Sequence, residues 1–293
     1  MVTIFSTPKD FSGEFDIIQR NAMNSWRAIS EEIEIIIIGE SLGAKDAAKS
    51  ISAKYIKNVE TSNEGTPTIS GLFGVAEKYA NNNILCYVNA DIILPKNFLG
   101  LISILLNEKR KFMTVGYRWD LDVPDPIDFR DDKILGAFWE NAKKNAKKHA
   151  CTGIDYFIFK KGTFKNMLDL AIGRFGWDNW LLWKVRRMRI PLIDVSNEIF
   201  AIHQNHSYRF GDFKSESSIL SNSESIHNQN KIDGKTLNLL DANYHLDYGK
   251  IKKKGSKEFI NRNLGKLPII FPEFSLLLKI YKKLYRKYWL WLR

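Results

Sequence analysis

Three small sets of polar residues stand where their types and spacing could do chemistry. Asp91 closes the stretch Leu85-Cys-Tyr-Val-Asn-Ala-Asp91, which is followed by a second apolar run and Pro95. A short apolar segment rich in β-branched and aromatic residues reads as a central strand of a parallel sheet, and such strands present ligand groups at their carboxyl ends. A carboxylate there can carry a divalent cation, which in turn can neutralise a diphosphate leaving group. The competing role for Asp91 is to cap the helix expected after Pro95. Asp178, in Gly173-Arg-Phe-Gly-Trp-Asp178-Asn-Trp, stands where another helix begins. Asp is a favoured N-cap, and the positive end of a helix also keeps a carboxylate ionised, which is the form a general base needs. His203 and His206 follow a buried strand in a chain with only five His. Imidazole there suits Mn²⁺ or a phosphate, although two His three apart are also ordinary core or surface residues.

The elements that must position these residues alternate. Val2–Ser6 reads as a strand, and Phe15, Ile18, Ala22, Trp26 and Ile29 recur at helical spacing. Glu34–Ile38 is a second strand, followed by a small-residue helix from Ala44 to Ser52. Tyr55–Val59 is a third, followed by a helix from Ile69 to Tyr79. Strands alternating with helices across short loops predict a mostly parallel sheet with right-handed crossovers, an α/β fold. Further along, the pattern predicts a helix over Phe98–Asn107 and a strand over Lys111–Tyr117 with a polar continuation, Arg118–Asp122. A lysine-rich helix follows over Ile134–His149, then strands over Ile154–Phe159 and Ile190–Val195. The first strand-to-helix loop lacks Gly-x-Gly-x-x-Gly, and no Gly-x-x-x-x-Gly-Lys-Ser/Thr occurs, so dinucleotide and P-loop chemistry lose ground.

Composition narrows the class. With 293 residues, 44% hydrophobic and 26% charged, the chain is long enough for one large α/β domain or two smaller ones. The net charge of +11 is not spread evenly: residues 250–293 hold 13 Lys and Arg against Glu258 and Glu273, which leaves residues 1–249 neutral. The body therefore need not face a polyanion, and a nucleic-acid role would rest on the tail alone. Only Cys86 and Cys151 occur, the first within an apolar strand, so a reducing, cytoplasmic setting is expected, with no signal peptide and no membrane span.

Across residues 1–210 this order of motifs resembles the nucleotide-sugar glycosyltransferases of the GT-A fold. Asn89-Ala90-Asp91 resembles the family's Asp-x-Asp motif with Asn at the first position, Gly176-Trp177-Asp178-Asn179 resembles the inverting members' x-Glu-Asp, and His203 matches the His after the final strand. The resemblance implies a GT-A-like domain over 1–210 and a metal, Mn²⁺ or Mg²⁺, on Asp91 and His203. His206 is the second choice of ligand, and Asp178 becomes the base. It further implies a nucleoside pocket lined by Thr7, Pro8 and Glu40, donor contacts from Asn89 and His206, and acceptor contacts from Asp155, Trp177 and Trp180. The partners implied are a nucleotide-sugar donor and a glycan or lipid-linked glycan acceptor, with no nucleic acid. A non-catalytic nucleotide-sugar-binding or scaffold protein at a membrane is the alternative reading.

Residues 211–249 read as a polar loop or lid, being rich in Ser, Asn, Lys and Glu, and residues 250–293 as a basic tail. Within the tail, Leu277, Tyr281, Leu284, Tyr288 and Trp291 fall on one helical face, with Lys279, Lys282, Lys283 and Arg286 on the other. A basic amphipathic helix of this kind suits an anionic lipid interface, as well as packing on the body or on a partner. Deleting residues 273–293 is expected to abolish co-sedimentation with anionic vesicles; a truncated protein that still pellets with them overturns the membrane role.

Overall fold

The computed structural model of the chain describes residues 1–206 and 221–274. Thirteen strands appear there: β1 Val2–Ser6, β2 Glu34–Ile38, β3 Lys54–Ile56, β4 Ile84–Val88, β5 Ile92–Ile93, β6 Met113–Val115, β7 Arg118–Leu121, β8 Lys147–Lys148, β9 Tyr156–Lys160, β10 Leu192–Asp194, β11 Ala201–Gln204, β12 Tyr244–Asp247 and β13 Lys250–Lys253. The helices are α1 Glu14–Ile29, α2 Ala44–Ser50, α3 Ile69–Tyr79, α4 Phe98–Leu106, α5 Asp132–Asn145, α6 Trp177–Arg187, α7 Ser223–Ile232 and α8 Lys257–Ile270. None of these helices is long and apolar enough to cross a membrane.

A nine-stranded sheet runs in the order β13-β12-β10-β6-β9-β4-β1-β2-β3, and a four-stranded one in the order β5-β11-β7-β8. In the large sheet β3, β2, β1 and β4 pair in parallel, as do β6, β10 and β12, while β9 runs antiparallel between β4 and β6. The fold is therefore α/β with a mostly parallel central sheet flanked by helices, as the alternation predicts. Its strands are apolar runs because both faces are covered. Ile35, Ile37, Cys86 and Val88 face a core layer with Met23 and Trp26 of α1, Ala47 of α2 and Leu101 of α4. Ile36, Ile38, Leu85 and Tyr87 face the opposite layer with Leu72 and Phe73 of α3 and Leu181 of α6.

Two expectations change past residue 210. The region expected to be a polar loop contains α7, and the part of the basic tail ahead of its expected helix contains β13 and α8. Polar side chains hide α7 from a hydrophobic pattern: its buried face carries Glu224, Ser225 and Asn228, with Ile232 the only apolar member. Asn228 replaces apolar contacts with bonds to Ala171 and Phe175, and Glu224 accepts from Ser62, Thr66 and Arg174. The lysines of β13 are exposed because it is an edge strand. The first part of the expected loop, 211–220, and the helix expected over Leu277 to Trp291 lie outside the described residues.

Trp26 joins α1 to the junction of the two sheets. It is fully buried, and its indole N–H donates to the carbonyl of Ile92 in β5 at 2.9 Å. Trp26→Ala is expected to cost about 3–5 kcal/mol in urea unfolding, the range for emptying a large aromatic site with a lost buried hydrogen bond; a loss under about 1 kcal/mol would show that this packing is not what anchors α1.

Candidate active site

The site forms where the chain leaves the large sheet for the small one. After β4 the backbone turns through Asn89, Ala90 and Asp91 and enters β5, which pairs antiparallel with β11 so that Ile92 lies opposite His203. β11 also pairs in parallel with β7, setting His203 beside Asp120. Asp91 is further pinned through its carbonyl, which accepts from the Gln204 backbone N–H at 3.1 Å and its side-chain amide at 3.2 Å. Gln204 is fully buried and donates to Ile18 as well, so the residue next to His203 is locked against both α1 and Asp91.

The side chains converge accordingly. His206 Nε2 lies 3.4 Å from Asp91 Oδ2, and His203 Nε2 lies 3.7 Å from the same oxygen. On its other side, His203 Nδ1 lies 3.1 Å from Asp120 Oδ1. Asp120 Oδ2 is 2.6 Å from His149 Nδ1. Arg118 links this group to the next: its Nε is 3.2 Å from Asp120, and its Nη1 donates to Asp155 Oδ2 at 2.7 Å. Asp155 in turn accepts from the Asn89 amide at 2.6 Å, and Asn89 accepts from the Tyr87 hydroxyl at 2.7 Å.

These contacts set protonation states. Burial by itself would raise the Asp91 carboxyl, but His203, His206 and Arg118 outweigh it and hold the group below the usual carboxylate range. Burial works against Asp120 too, yet the two His partners and Arg118 bring it down to about 2. For His203, burial disfavours the charged ring, while Asp91 and Asp120 reverse the balance and raise it. Asp91 Oδ1 is buried with no hydrogen-bond partner, whereas both imidazoles turn a nitrogen toward the other oxygen. An ionised carboxylate with an unmatched oxygen beside two imidazoles fits a divalent cation, and among the described residues Asp91, His203 and His206 can offer ligand atoms within 4.8 Å of one another.

A cleft of about 710 Å³ opens over this group. Thr7, Pro8, Asn89, Asp91, Asp155, Trp177, His203 and His206 line it, all residues expected from the sequence. Thr7 and the end of β2 approach closely because Gly39, at φ +118°, has no side chain: a Cβ there would stand 3.0 Å from Thr7 Oγ1. Other expected residues stand elsewhere. Glu40 is exposed and paired with Lys57 at 2.9 Å, and Trp180 is buried in the core with the Lys184 ammonium over its ring. Asp155, though at the wall, spends both oxygens on Asn89 and Arg118.

Asp178 differs from the expectation in kind. The cap of α6 is Gly176, in the left-handed region at φ 67°, so Asp178 sits in the first turn, one residue beyond the wall residue Trp177 and not itself among the residues that line the cleft. Burial, joined by the nearby Asp155 charge, pushes its carboxyl up to about 7 against the backbone N–H groups of Asn179 and Ile154, which favour the anion. Desolvation therefore overrides the helix end, and the group titrates near neutrality. Sequence reasoning missed Lys9, Arg174, Arg118, Asp120 and His149. Lys9 and Arg174 line the cleft; burial lowers the Lys9 ammonium, with Asp91 acting against it and Arg174 with it. The signal for two of the others was the i, i+2 spacing of Arg118 and Asp120, which puts both on one face of a strand.

No known family's sequence model matches the chain, and no curated protein matches it in sequence. Solved structures do. Glucosyl-3-phosphoglycerate synthase from Mycobacterium tuberculosis, in complex with Mn²⁺, uridine diphosphate and phosphoglyceric acid, aligns over 70% of this chain and 71% of its own, with 13% identity and a TM-score of 0.44. The same protein with Mn²⁺, UDP-glucose and phosphoglyceric acid aligns over 70% and 72%, with 14% identity and a TM-score of 0.45. S. aureus TarS in complex with UDP-GlcNAc aligns over 43% of this chain and 38% of its own, with 15% identity and a TM-score of 0.33.

Arg118→Ala leaves Asp155 and Asp120 without their shared cation inside the wall. The expected loss is about 3–5 kcal/mol in urea unfolding, with part of it recovered in Arg118→Ala/Asp155→Asn; equal stability of the single and double variants would show that the pair is not coupled.

Proposed function

We propose that this chain is an inverting nucleotide-sugar glycosyltransferase of the GT-A type, moving a sugar to a hydroxyl of a glycan or lipid-linked glycan. The observation that carries the reading is the convergence of His203 and His206 on Asp91 at the carboxyl end of a central parallel strand, in a cleft large enough for a nucleotide sugar. A divalent cation, Mn²⁺ or Mg²⁺, bound at Asp91 and His203 would offset the charge of the departing nucleoside diphosphate.

The chain's own groups account for the rest. Thr7 and Pro8, at the end of β1, border the nucleoside side of the cleft, and Lys9 and Arg174 bring cationic groups to the same cavity, where donor phosphates need them. Trp177 lines the cleft on what we take as the acceptor side and is held in place by Tyr87 and Phe157. Asp178 accepts the proton of the acceptor hydroxyl as that oxygen bonds to the anomeric carbon and the bond from that carbon to the diphosphate breaks. A base with a pKa near 7 is matched to that task at neutral pH, since it is ionised in a large fraction of molecules and basic enough to take a proton. In this reading Asp155 supports the site through Arg118 and Asn89 rather than by holding the acceptor. The protein works in the cytoplasm and meets a lipid-linked acceptor at an anionic membrane through residues 273–293, as the charge of that segment suggests.

The test is release of nucleoside diphosphate from UDP-, GDP- and dTDP-sugars with Mn²⁺ or Mg²⁺. One donor is expected to turn over slowly in water, and Asp91→Ala should abolish it. With acceptor present, Asp178→Asn should lower kcat by about 10²–10⁴-fold at unchanged donor affinity. Because Asp178 must be ionised, kcat/KM should fall about tenfold per pH unit below about 7 and level off above it. Silence across the panel together with full function of Asp178→Asn would leave the scaffold reading standing.

A further inference from the structure

We infer that Glu224, on α7, is a positioning residue for the cleft: it fixes Arg174 and the turn 62–66 as one wall that meets the ligand's phosphate groups. The unit that binds the donor therefore runs on through α7, beyond the residues 1–210 over which the motifs fall. The inference rests on the nucleotide-sugar reading above and deepens it.

Glu224 is an acid that the fold keeps at 3% exposure and occupies at both oxygens. One oxygen accepts from the Ser62 hydroxyl, and the other accepts from the Thr66 hydroxyl at 2.9 Å and from Arg174 Nε at 2.6 Å. Arg174 Nη2 donates to the same Thr66 hydroxyl at 3.4 Å. The Ser62 hydroxyl accepts in turn from the backbone N–H groups of Glu64 and Thr66, both at 3.2 Å, so the turn closes around the atom that Glu224 holds. Burial opposes the charge on Glu224, but Ser62, Thr66 and Arg174 outweigh it and lower the carboxyl, which keeps the group ionised.

The same helix holds the backbone around Arg174. Asn228, on the buried face of α7 with Glu224, accepts from the Ala171 N–H at 2.9 Å and donates to the carbonyls of Ala171 at 3.0 Å and Phe175 at 3.2 Å. Ala171 bridges to Thr68, and the Ile172 N–H donates to the Pro67 carbonyl at 3.0 Å. Two loops distant in sequence are thereby joined, and α7 locks the joint. Glu64, Gly65, Thr66, Pro67 and Arg174 all line the cleft. Lys9 lines it as well, near enough to Arg174 for the guanidinium to help lower its ammonium. Two cations brought into one cavity suit a ligand that carries two phosphate groups. An arginine anchored along its Nε edge offers its terminal nitrogens in a set orientation, which spares the ligand the cost of ordering that side chain.

Holding Arg174 and merely neutralising it predict opposite signs. If Glu224 only offset charge, Glu224→Gln would raise the positive potential in the cleft and tighten an anion; if it holds Arg174, the same change frees the guanidinium and weakens the anion. The test is calorimetric titration of the full-length protein with UDP, GDP and dTDP in Mn²⁺, and separately with inorganic pyrophosphate. Glu224→Gln should weaken pyrophosphate and the nucleotide that the wild type binds about tenfold. Arg174→Ala should weaken them about 10–100-fold, the value of a charge-assisted hydrogen bond to phosphate. In the Arg174→Ala background Glu224→Gln should do nothing further, whereas a general loosening of the cleft would add to the loss. Ser62→Ala removes a donor to Glu224 without changing any charge; it should weaken both ligands too, and it keeps the test open if Glu224→Gln fails to fold. Unchanged or tighter binding in the folded variants, or additive losses in the double variant, overturns the inference, and a nucleotide bound by the wild type would in that event leave the transferase reading in place. Pyrophosphate that responds to Glu224 through Arg174 while no nucleotide binds would uphold the wall and end the transferase reading. A wild type that binds neither ends both.

Discussion

One guanidinium holds the rim of the large sheet together. Arg118 reaches Asp155 with one nitrogen, Asp120 with a second and the His149 ring with a third, and it adds to the field that keeps Asp91 ionised. Without a fixed cation, three carboxylates gathered in a half-dry wall would protonate or pull the wall open, since an isolated buried charge is far costlier than a paired one. Arg suits the task better than Lys because its planar fork meets several acceptors at once and stays charged when desolvated. The positions of Asn89, His203 and Asp91 all follow from that anchor and from the strand registers on either side of it.

Two carboxyls near the site are set to different proton affinities. Asp120 is stabilised as an anion by partners on three sides, while Asp178, held only by backbone N–H groups and facing Asp155, has a carboxyl that titrates near neutrality. Both burial and neighbours make the difference: desolvation drives Asp178 up with little to offset it, whereas the His and Arg partners of Asp120 outweigh its lesser burial. Environments that push two carboxyls apart in this way let one fold carry a fixed anion and a group that titrates near neutrality.

Much of this was legible in the sequence where one physical effect dominates. Apolar runs such as Glu34–Ile38 and Ile84–Val88 can only be central strands, and Thr68 to Tyr79 carries both its cap and its stripe, so those elements were readable to within a residue or two. Asp91 and His203 were readable because they end or follow such runs. Less was legible where polar atoms take the place of apolar ones. The buried face of α7 is built from Glu224, Ser225 and Asn228, and β7 carries Arg118 and Asp120 inward, so hydrophobic periodicity is silent on both. Asp178 shows a third limit: its place in the first turn of α6 was visible, but burial, which decides its proton affinity, belongs to the tertiary structure. Glu40 and Trp180 were chosen by position alone, and neither lines the cleft: Glu40 turns outward to Lys57 and Trp180 turns into the core.

The reversed strand β9 has a consequence for how the chain is made. It fills the centre of the large sheet, between β4 and β6, and pairs along the whole length of β4. Until residue 160 has been synthesised, the nascent N-terminal half carries β4 as a bare edge of five apolar residues, with every backbone donor and acceptor on that side unpaired. Such an edge templates pairing with other chains. The interval between synthesis of β4 and synthesis of β9, some seventy residues by the numbering, is therefore the period in which this protein is most exposed to misassociation on the ribosome. The strand that places Asp155 at the rim is also the one that ends it.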